Sequence, residues 1–210
     1  MFRLRRKWPA RAVSAAVSAA VGETAGSSAA APRSRPSRLT ALDLSWITET
    51  FAIGGSFAPN QTEALAREHR IAAVVDVRGE SCDDETLLAQ YGIELLHLPT
   101  IDFEPISPRM LERGVAFVTA HLRAGRRVLV HCAHGIGRSA LLGLCVLVER
   151  GEDPLRALTL AKARRARVSP STAQYLAWAQ WLASWRDERG AAWEVPTLDE
   201  LKAIAYRHPR

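Results

Sequence analysis

Short runs of apolar and β-branched residues alternate with helically periodic stretches from about Leu42 onward. Leu44–Gly55 has the content of an opening strand pair, stopped by Gly54 and Gly55. Phe57-Ala-Pro-Asn60 predicts a turn, with Asn60 capping a helix through about His69. Ile71–Val77 is an almost continuous apolar run, as expected of a strand buried on both faces; only Asp76 interrupts it, placed to accept backbone N–H bonds. Asp83–Gln90 predicts a short helix broken by Gly92, and Ile93–Leu98 the next strand. Ser107-Pro108 opens a helix by the cap-then-proline rule. Its Leu111, Val115, Val118 and Leu122 recur at helical spacing, and Gly125 ends it.

Val128–Val130 reads as a buried strand and Ala140–Val148 as a helix apolar nearly all round, hence central. Further helices are predicted from Pro154 to Arg165 and from Pro170 or Ser171 to Trp185, the latter carrying Trp178, Trp181 and Trp185 on a core-facing stripe. A last helix starts at Thr197, whose Thr-x-x-Glu200 forms a capping box. Strands alternating with helices imply α/β architecture: three α/β/α layers around a mainly parallel sheet. A ligand site then belongs beyond the carboxyl ends of the strands.

Charge changes the picture at one end. The net charge of +6 and pI near 9.8 suggest a nucleic-acid partner until the charges are located. Residues 1–40 hold eight Arg or Lys and a single acid, Glu23, whereas the remaining 170 carry a net −1. The body therefore gives no bulk argument for nucleic acid. Residues 1–41, rich in Ala, Ser and Arg, cannot build a core and are expected to be disordered. The same composition resembles a mitochondrial or plastid transit peptide, and Ala12–Val21 sketches a weak secretory segment. No apolar run approaches the ~20 residues that span a membrane. Three cysteines at no framework spacing favour a reducing compartment, taken as the cytoplasm unless the leader directs import. No Cys/His spacing favours metal, and no cofactor is implied.

The chemistry concentrates in Arg127-Val-Leu-Val-His-Cys-Ala-His-Gly-Ile-Gly-Arg-Ser-Ala140. A tight loop from a strand into a helix N-terminus turns the backbone of Ala133, His134, Gly135, Ile136 and Gly137 toward one point, a cradle for a tetrahedral oxyanion. Arg138 can fork onto two oxygens of that anion. Cys132, below the phosphorus in a positive field, is expected to be a thiolate near neutral pH. Ser139 can donate to the sulfur and make it a better leaving group. The pattern specifies nucleophilic attack on a phosphate ester.

His131-Cys132-x5-Arg138-Ser139 resembles the motif of the cysteine-dependent protein tyrosine phosphatases, in particular the dual-specificity branch, over roughly residues 44–185. A rhodanese-like sulfurtransferase also ends a strand with Cys in an anion cradle, but its loop is usually shorter and lacks the Arg-Ser ending. The resemblance implies a general acid about thirty residues before the cysteine. Asp102, in Leu98-Pro-Thr-Ile-Asp-Phe-Glu-Pro105, stands at that distance, with Glu104 as the other candidate. It further implies that His131 orients the loop and that Gln174 positions the hydrolytic water, although Ser171-x-x-Gln174 also fits a capping box. Asp76 matches a strand end common in the family.

His134 is unusual for the loop and reads most simply as solvated; Arg164, Arg165 and Arg167 read as a solvated helix end near the rim. Cys82 is a candidate resolving thiol for an oxidised Cys132, and Cys145 a packed one. The expected organisation is a leader over 1–41, a catalytic domain over 42–186 and an extension with a short helix over 187–210. The expected substrate is a phosphorylated protein, bearing phosphotyrosine, phosphoserine or phosphothreonine. The alternatives are a phosphoinositide, nucleotide or RNA 5′ phosphate, or a weakly catalytic phosphate-binding module. Neither oligomeric state nor physiological substrate is specified by these residues.

Overall fold

A computed structural model describes residues 41–206 of the chain. The predicted leader, apart from Ala41, and the last four residues of the C-terminal extension lie outside them. Five strands form one sheet: β1 (Leu44–Trp46), β2 (Phe51–Gly54), β3 (Ile71–Arg78), β4 (Glu94–Thr100) and β5 (Arg127–His131). Their spatial order is β1-β2-β5-β3-β4. Only the β1–β2 hairpin is antiparallel; β2, β5, β3 and β4 pair in parallel. β5, late in sequence, is thus inserted between two early strands. Its last residue, His131, lies opposite Gly54 on one side and Asp76 on the other.

Alternation along the central strands divides the core in two. Val128 and Val130 of β5, with Phe51 and Ile53 of β2 and Val75 and Val77 of β3, face the helices that follow β4. Leu129, Ala52 and Val74 face the other layer with Leu65 and Leu88. That thinner layer holds α1 (Thr62–Arg67) and α2 (Glu85–Gln90). The thicker one holds α3 (Pro108–Arg123), α4 (Arg138–Glu149), α5 (Pro154–Arg164), α6 (Thr172–Arg189) and α7 (Leu198–Ala205). Eleven of the twelve residues of α4 are buried, as expected of a helix enclosed by neighbours.

Local chemistry explains most element ends. Ser107, Asp153, Ser171 and Thr197 each cap a helix by accepting a backbone N–H of its first turn. Three boundaries depart from expectation. Asn60 sits within a 3-10 turn (Pro59–Gln61) and does not cap α1, since Pro59 tightens the approach into i→i+3 geometry. α2 begins at Glu85, two residues after Asp83, with Asp84 as its cap. α6 runs four residues past Trp185 to Gly190, which takes the left-handed conformation that ends helices. Of the tryptophan stripe, Trp178 is fully buried, while Trp181 and Trp185 are partly buried and Trp185 stacks on Trp193. α7 also joins the main core, burying Leu201 and Ala205. Among the described residues no helix is long and apolar enough to cross a membrane.

Candidate active site

The loop leaving β5 turns tightly over Cys132–Gly137 into α4. Cys132 is buried, and its Sγ accepts the Gly135 N–H at 3.2 Å and lies 3.3 Å from Ser139 Oγ. Burial alone would raise this thiol's pKa. The Ser139 hydroxyl and the amides of Ser139, His134 and Gly135 outweigh it, and the net effect is downward. Gly135 has φ +64°, and a Cβ there would meet the Gly54 carbonyl at 2.6 Å, so glycine is required both by conformation and by space. Gly137 begins α4 without a side-chain cap, and a Cβ on it would strike Gln174 Oε1 at 2.4 Å. The amides of His134, Gly135 and Ser139 thus gather around the Cys132 sulfur at the start of α4.

Arg138 opens α4 and is 1 % exposed. Its guanidinium is held by Glu80 in a two-pronged pair at 2.6 and 2.8 Å and by the Thr100 carbonyl at 2.8 Å. Asp102 Oδ1 lies 3.1 Å from its Nη2. Its Nε is buried without a hydrogen-bond partner. The Arg138 pair holds the Glu80 carboxyl down to about 2, against a smaller opposing effect of burial. Glu80 thus stabilises the folded site above the ordinary carboxylate range, and that contribution is lost only as pH falls through about 2. Asp102 also accepts the Phe103 N–H at 3.0 Å, and Phe103 occupies the left-handed region at φ +63°. Of the two candidate acids, Asp102 is the one whose carboxylate touches Arg138.

On the β3 side an ion network braces the loop. Asp76 is fully buried and accepts the Arg78 backbone N–H at 3.0 Å, the Asp83 N–H at 3.1 Å and two guanidinium bonds from Arg78 at 2.9 and 2.8 Å. Arg78 also reaches Asp83 at 2.5 Å, and Asp83 accepts from His131 Nε2 at 2.7 Å. The His131 ring therefore binds the segment after β3, with Phe57 packed 5.2 Å from it. Asp76, Asp83 and His131 are close enough to share an ion, as are Asp76, Cys82 and His97. Neither set fits one: both need Asp76, whose oxygens are already taken by Arg78 and by the Asp83 amide. Cys82 is exposed, with its thiol pKa pushed up first by burial and then by Asp76 and Asp83. Such a thiol is a poor thiolate at neutral pH, which weighs against a resolving role. Cys145 is buried and its pKa is driven well up.

The rim departs most from expectation. Arg165 is no solvated helix end: it is buried, and its guanidinium donates to the Gly135 carbonyl at 2.8 Å and the His134 carbonyl at 2.9 Å. The same group pairs with Asp43 at 3.0 and 2.9 Å, so it clamps the outside of the loop to the chain before β1. Arg164 and Arg167 are exposed, and Arg167 shares Asp43 at 3.2 Å. His134 is exposed, with its carbonyl turned to Arg165. Gln174 is buried with both ends of its carboxamide in use: Oε1 accepts the Ser171 N–H at 2.9 Å, and Nε2 donates to the Glu104 carbonyl at 3.2 Å. The capping box is formed, and it doubles as a tie to the Asp102 loop, helped by Ser171 Oγ donating to the Phe103 carbonyl at 2.8 Å. Sequence reasoning missed Glu80, Asp83 and the burial of Arg165; the position of Glu80 and Asp83 just past a strand neighbouring β5 was the available signal.

Residues 56–184 match the family model of the dual specificity phosphatase catalytic domain. The chain belongs to that family, within the cysteine-dependent protein tyrosine phosphatase superfamily. Tk-PTP in its active form is similar at 25% identity and TM-score 0.61, over 66% of this chain and 95% of that one. PTPMT1 in complex with PI(5)P shares 23% identity and TM-score 0.64, over 69% of this chain and 97% of that one. Human DUSP28 shares 22% identity and TM-score 0.60, over 75% and 99% respectively. The last two likenesses concern the fold alone. No match is found among curated proteins.

Proposed function

We propose that the chain hydrolyses phosphate monoesters of phosphotyrosine, phosphoserine or phosphothreonine on proteins, through a phosphocysteine on Cys132. The observation that carries this reading is a buried sulfur, held by an N–H at 3.2 Å and a hydroxyl at 3.3 Å, with a lowered pKa. The Cys132 thiolate attacks phosphorus as the ester P–O bond breaks, and Asp102 gives its proton to the departing oxygen. Arg138 and the amides of Ala133–Gly137 bind the phosphoryl oxygens and follow them into the transition state. Asp102, now ionised, takes a proton from water; the water oxygen bonds phosphorus, and the P–S bond breaks. Ser139 donates to the departing sulfur, leaving alcohol, inorganic phosphate and the restored thiolate.

A second substrate class is favoured by a specific feature. Among the described residues, Ile101, Phe103 and Ile136 are three of the five large apolar side chains that stand exposed; the first two flank Asp102 and the third lies in the anion loop. An apolar rim around a phosphate cradle suits a phosphate carried on a lipid surface, and the similar PTPMT1 has been solved with PI(5)P. The net −1 of the body gives no support to a nucleic-acid partner. Three free thiols support a reducing compartment, the cytoplasm in the simplest case. A mitochondrial or plastid address would instead follow from the leader, and imaging a tagged full chain with and without residues 1–40 separates the two.

The deciding experiment is a turnover panel with the full chain. It sets tyrosine, serine and threonine phosphopeptides against phosphoinositide vesicles, with an aryl phosphate as reference, and acid-quench trapping of a phosphorylated Cys132. Turnover of phosphopeptides above vesicles supports the first reading, and the reverse order the second. A folded chain inert on the whole panel, or a trapped phosphate on another residue, overturns the mechanism.

A further inference from the structure

We propose that α7, which lies past the residues matching the family, is a positioning element for the reaction, acting through the segment Val168–Ser171 on both loops of the site. The carbonyl of Ala205, at the C-terminal end of α7, gathers two donors: Ser169 Oγ at 3.0 Å and the Lys162 ammonium. Lys162 also donates to the Val168 carbonyl at 3.1 Å. The next residue, Tyr206, donates its hydroxyl to the Pro170 carbonyl at 2.8 Å. Before α7 begins, the Pro196 carbonyl accepts the Tyr175 hydroxyl. The helix is thus tied at both ends, and Leu201 and Ala205 anchor its middle and end in the core. A cation at a helix C-terminus is the arrangement its dipole favours.

From that segment the contacts continue inward. Ser169 N–H donates to the Ile136 carbonyl of the anion loop at 3.0 Å. Ser171 Oγ donates to the Phe103 carbonyl at 2.8 Å, and Gln174 Nε2 to the Glu104 carbonyl at 3.2 Å, two consecutive residues just after Asp102. Ser169 therefore bonds α7 through its side chain and the anion loop through its backbone. A sulfur that attacks phosphorus and an acid that protonates the oxygen leaving on the opposite side are sensitive to displacements well under an ångström. α7 supplies the outer wall against which the shared segment is held.

The test uses the full chain with Tyr206→Phe and Ser169→Ala, each removing one hydroxyl and little volume, and Lys162→Met with Lys162→Arg as its conservative partner. Rates are read on an alkyl phosphate, which needs the acid, and on an activated aryl phosphate, which needs it less. Tyr206→Phe and Ser169→Ala are expected to lower kcat on the alkyl phosphate by about three- to tenfold, with less effect on the aryl phosphate. KM should change little in Tyr206→Phe and rise in Ser169→Ala, whose backbone bonds the anion loop. Lys162→Met should lower kcat more strongly, and Lys162→Arg should recover part of the loss. A lowered thermal midpoint with an unchanged alkyl-to-aryl ratio would reduce α7 to packing and overturn the proposal. Affinity for inorganic phosphate, measured in a Cys132→Ser background, reads the anion loop without turnover. Weakening by Ser169→Ala there supports the proposal even if the chain hydrolyses no substrate tried, so the two readings fail separately.

Discussion

The two loops that meet at the site are built differently. The anion loop has Cys132, Gly135 and Arg138 buried and is braced from three sides: His131 on Asp83, Arg138 on Glu80, and Arg165 on the Gly135 and His134 carbonyls. The acid loop is exposed, with Ile101 and Phe103 each 73% accessible, and is held through its carbonyls by Ser171 and Gln174. The difference follows the chemistry. A thiolate with a lowered pKa needs donors fixed before substrate arrives. An acid that must reach leaving groups of different size gains from a loop held at its backbone, with its apolar side chains left exposed to meet them. Removing parts of each loop should therefore produce different kinetic patterns.

The largest effect belongs to the nucleophile. Cys132→Ser should reduce turnover by about 10⁴-fold or more while inorganic phosphate still binds, since the amides and Arg138 remain; calorimetry and a steady-state assay check both halves. Asp102→Ala comes next. It should slow an alkyl phosphate by roughly 10²–10⁴-fold and an activated aryl phosphate far less, whereas Glu104→Ala should behave nearly as the native chain. Equal losses on both substrates would mean that Asp102 shapes the loop and the acid lies elsewhere.

Arg165→Lys tests the brace. Lysine cannot fork onto Asp43 and two carbonyls at once, so kcat/KM should fall by about 10- to 100-fold, and equally for both leaving groups because the anion loop serves both. A loss confined to the alkyl phosphate would erase the contrast between the loops. Ser139→Ala has the smallest effect on rate and the sharpest on pH. The native thiol is lowered, so activity extends to lower pH than an ordinary thiol allows. Losing the hydroxyl should move the acidic limb of the pH–rate profile upward. An unmoved limb would assign the lowering to the amides alone.

What the sequence disclosed follows the same division. Cys132, Arg138 and Ser139 lie within eight consecutive residues, so their spacing alone specifies strand, loop and helix. Asp102 came within reach only through the family's spacing; the fold then brings its carboxylate to 3.1 Å from Arg138. Glu80, Asp83 and Arg165 were not legible, because their meaning depends on β5 being inserted beside β3 and on a clamp to Asp43, a residue 122 positions from Arg165. Among helices, the periodic ones were placed well. The departures fell at the cap of α1, the start of α2 and the end of α6, all at helix ends, where one or two residues decide the boundary.

That distant clamp also bears on how the chain acquires its reactivity. The Arg165–Asp43 pair joins the beginning of the folded body to a residue 122 positions later, and contacts of such separation form late because the intervening chain must first be ordered. The donors that lower the Cys132 thiol depend on a loop which that pair closes. If that contact forms late, a half-folded chain should carry an ordinary thiol, and the nucleophile should gain its reactivity as the fold completes. During refolding at mildly acidic pH, labelling of Cys132 by a thiol reagent should rise with the final phase of structure formation and not with the first collapse.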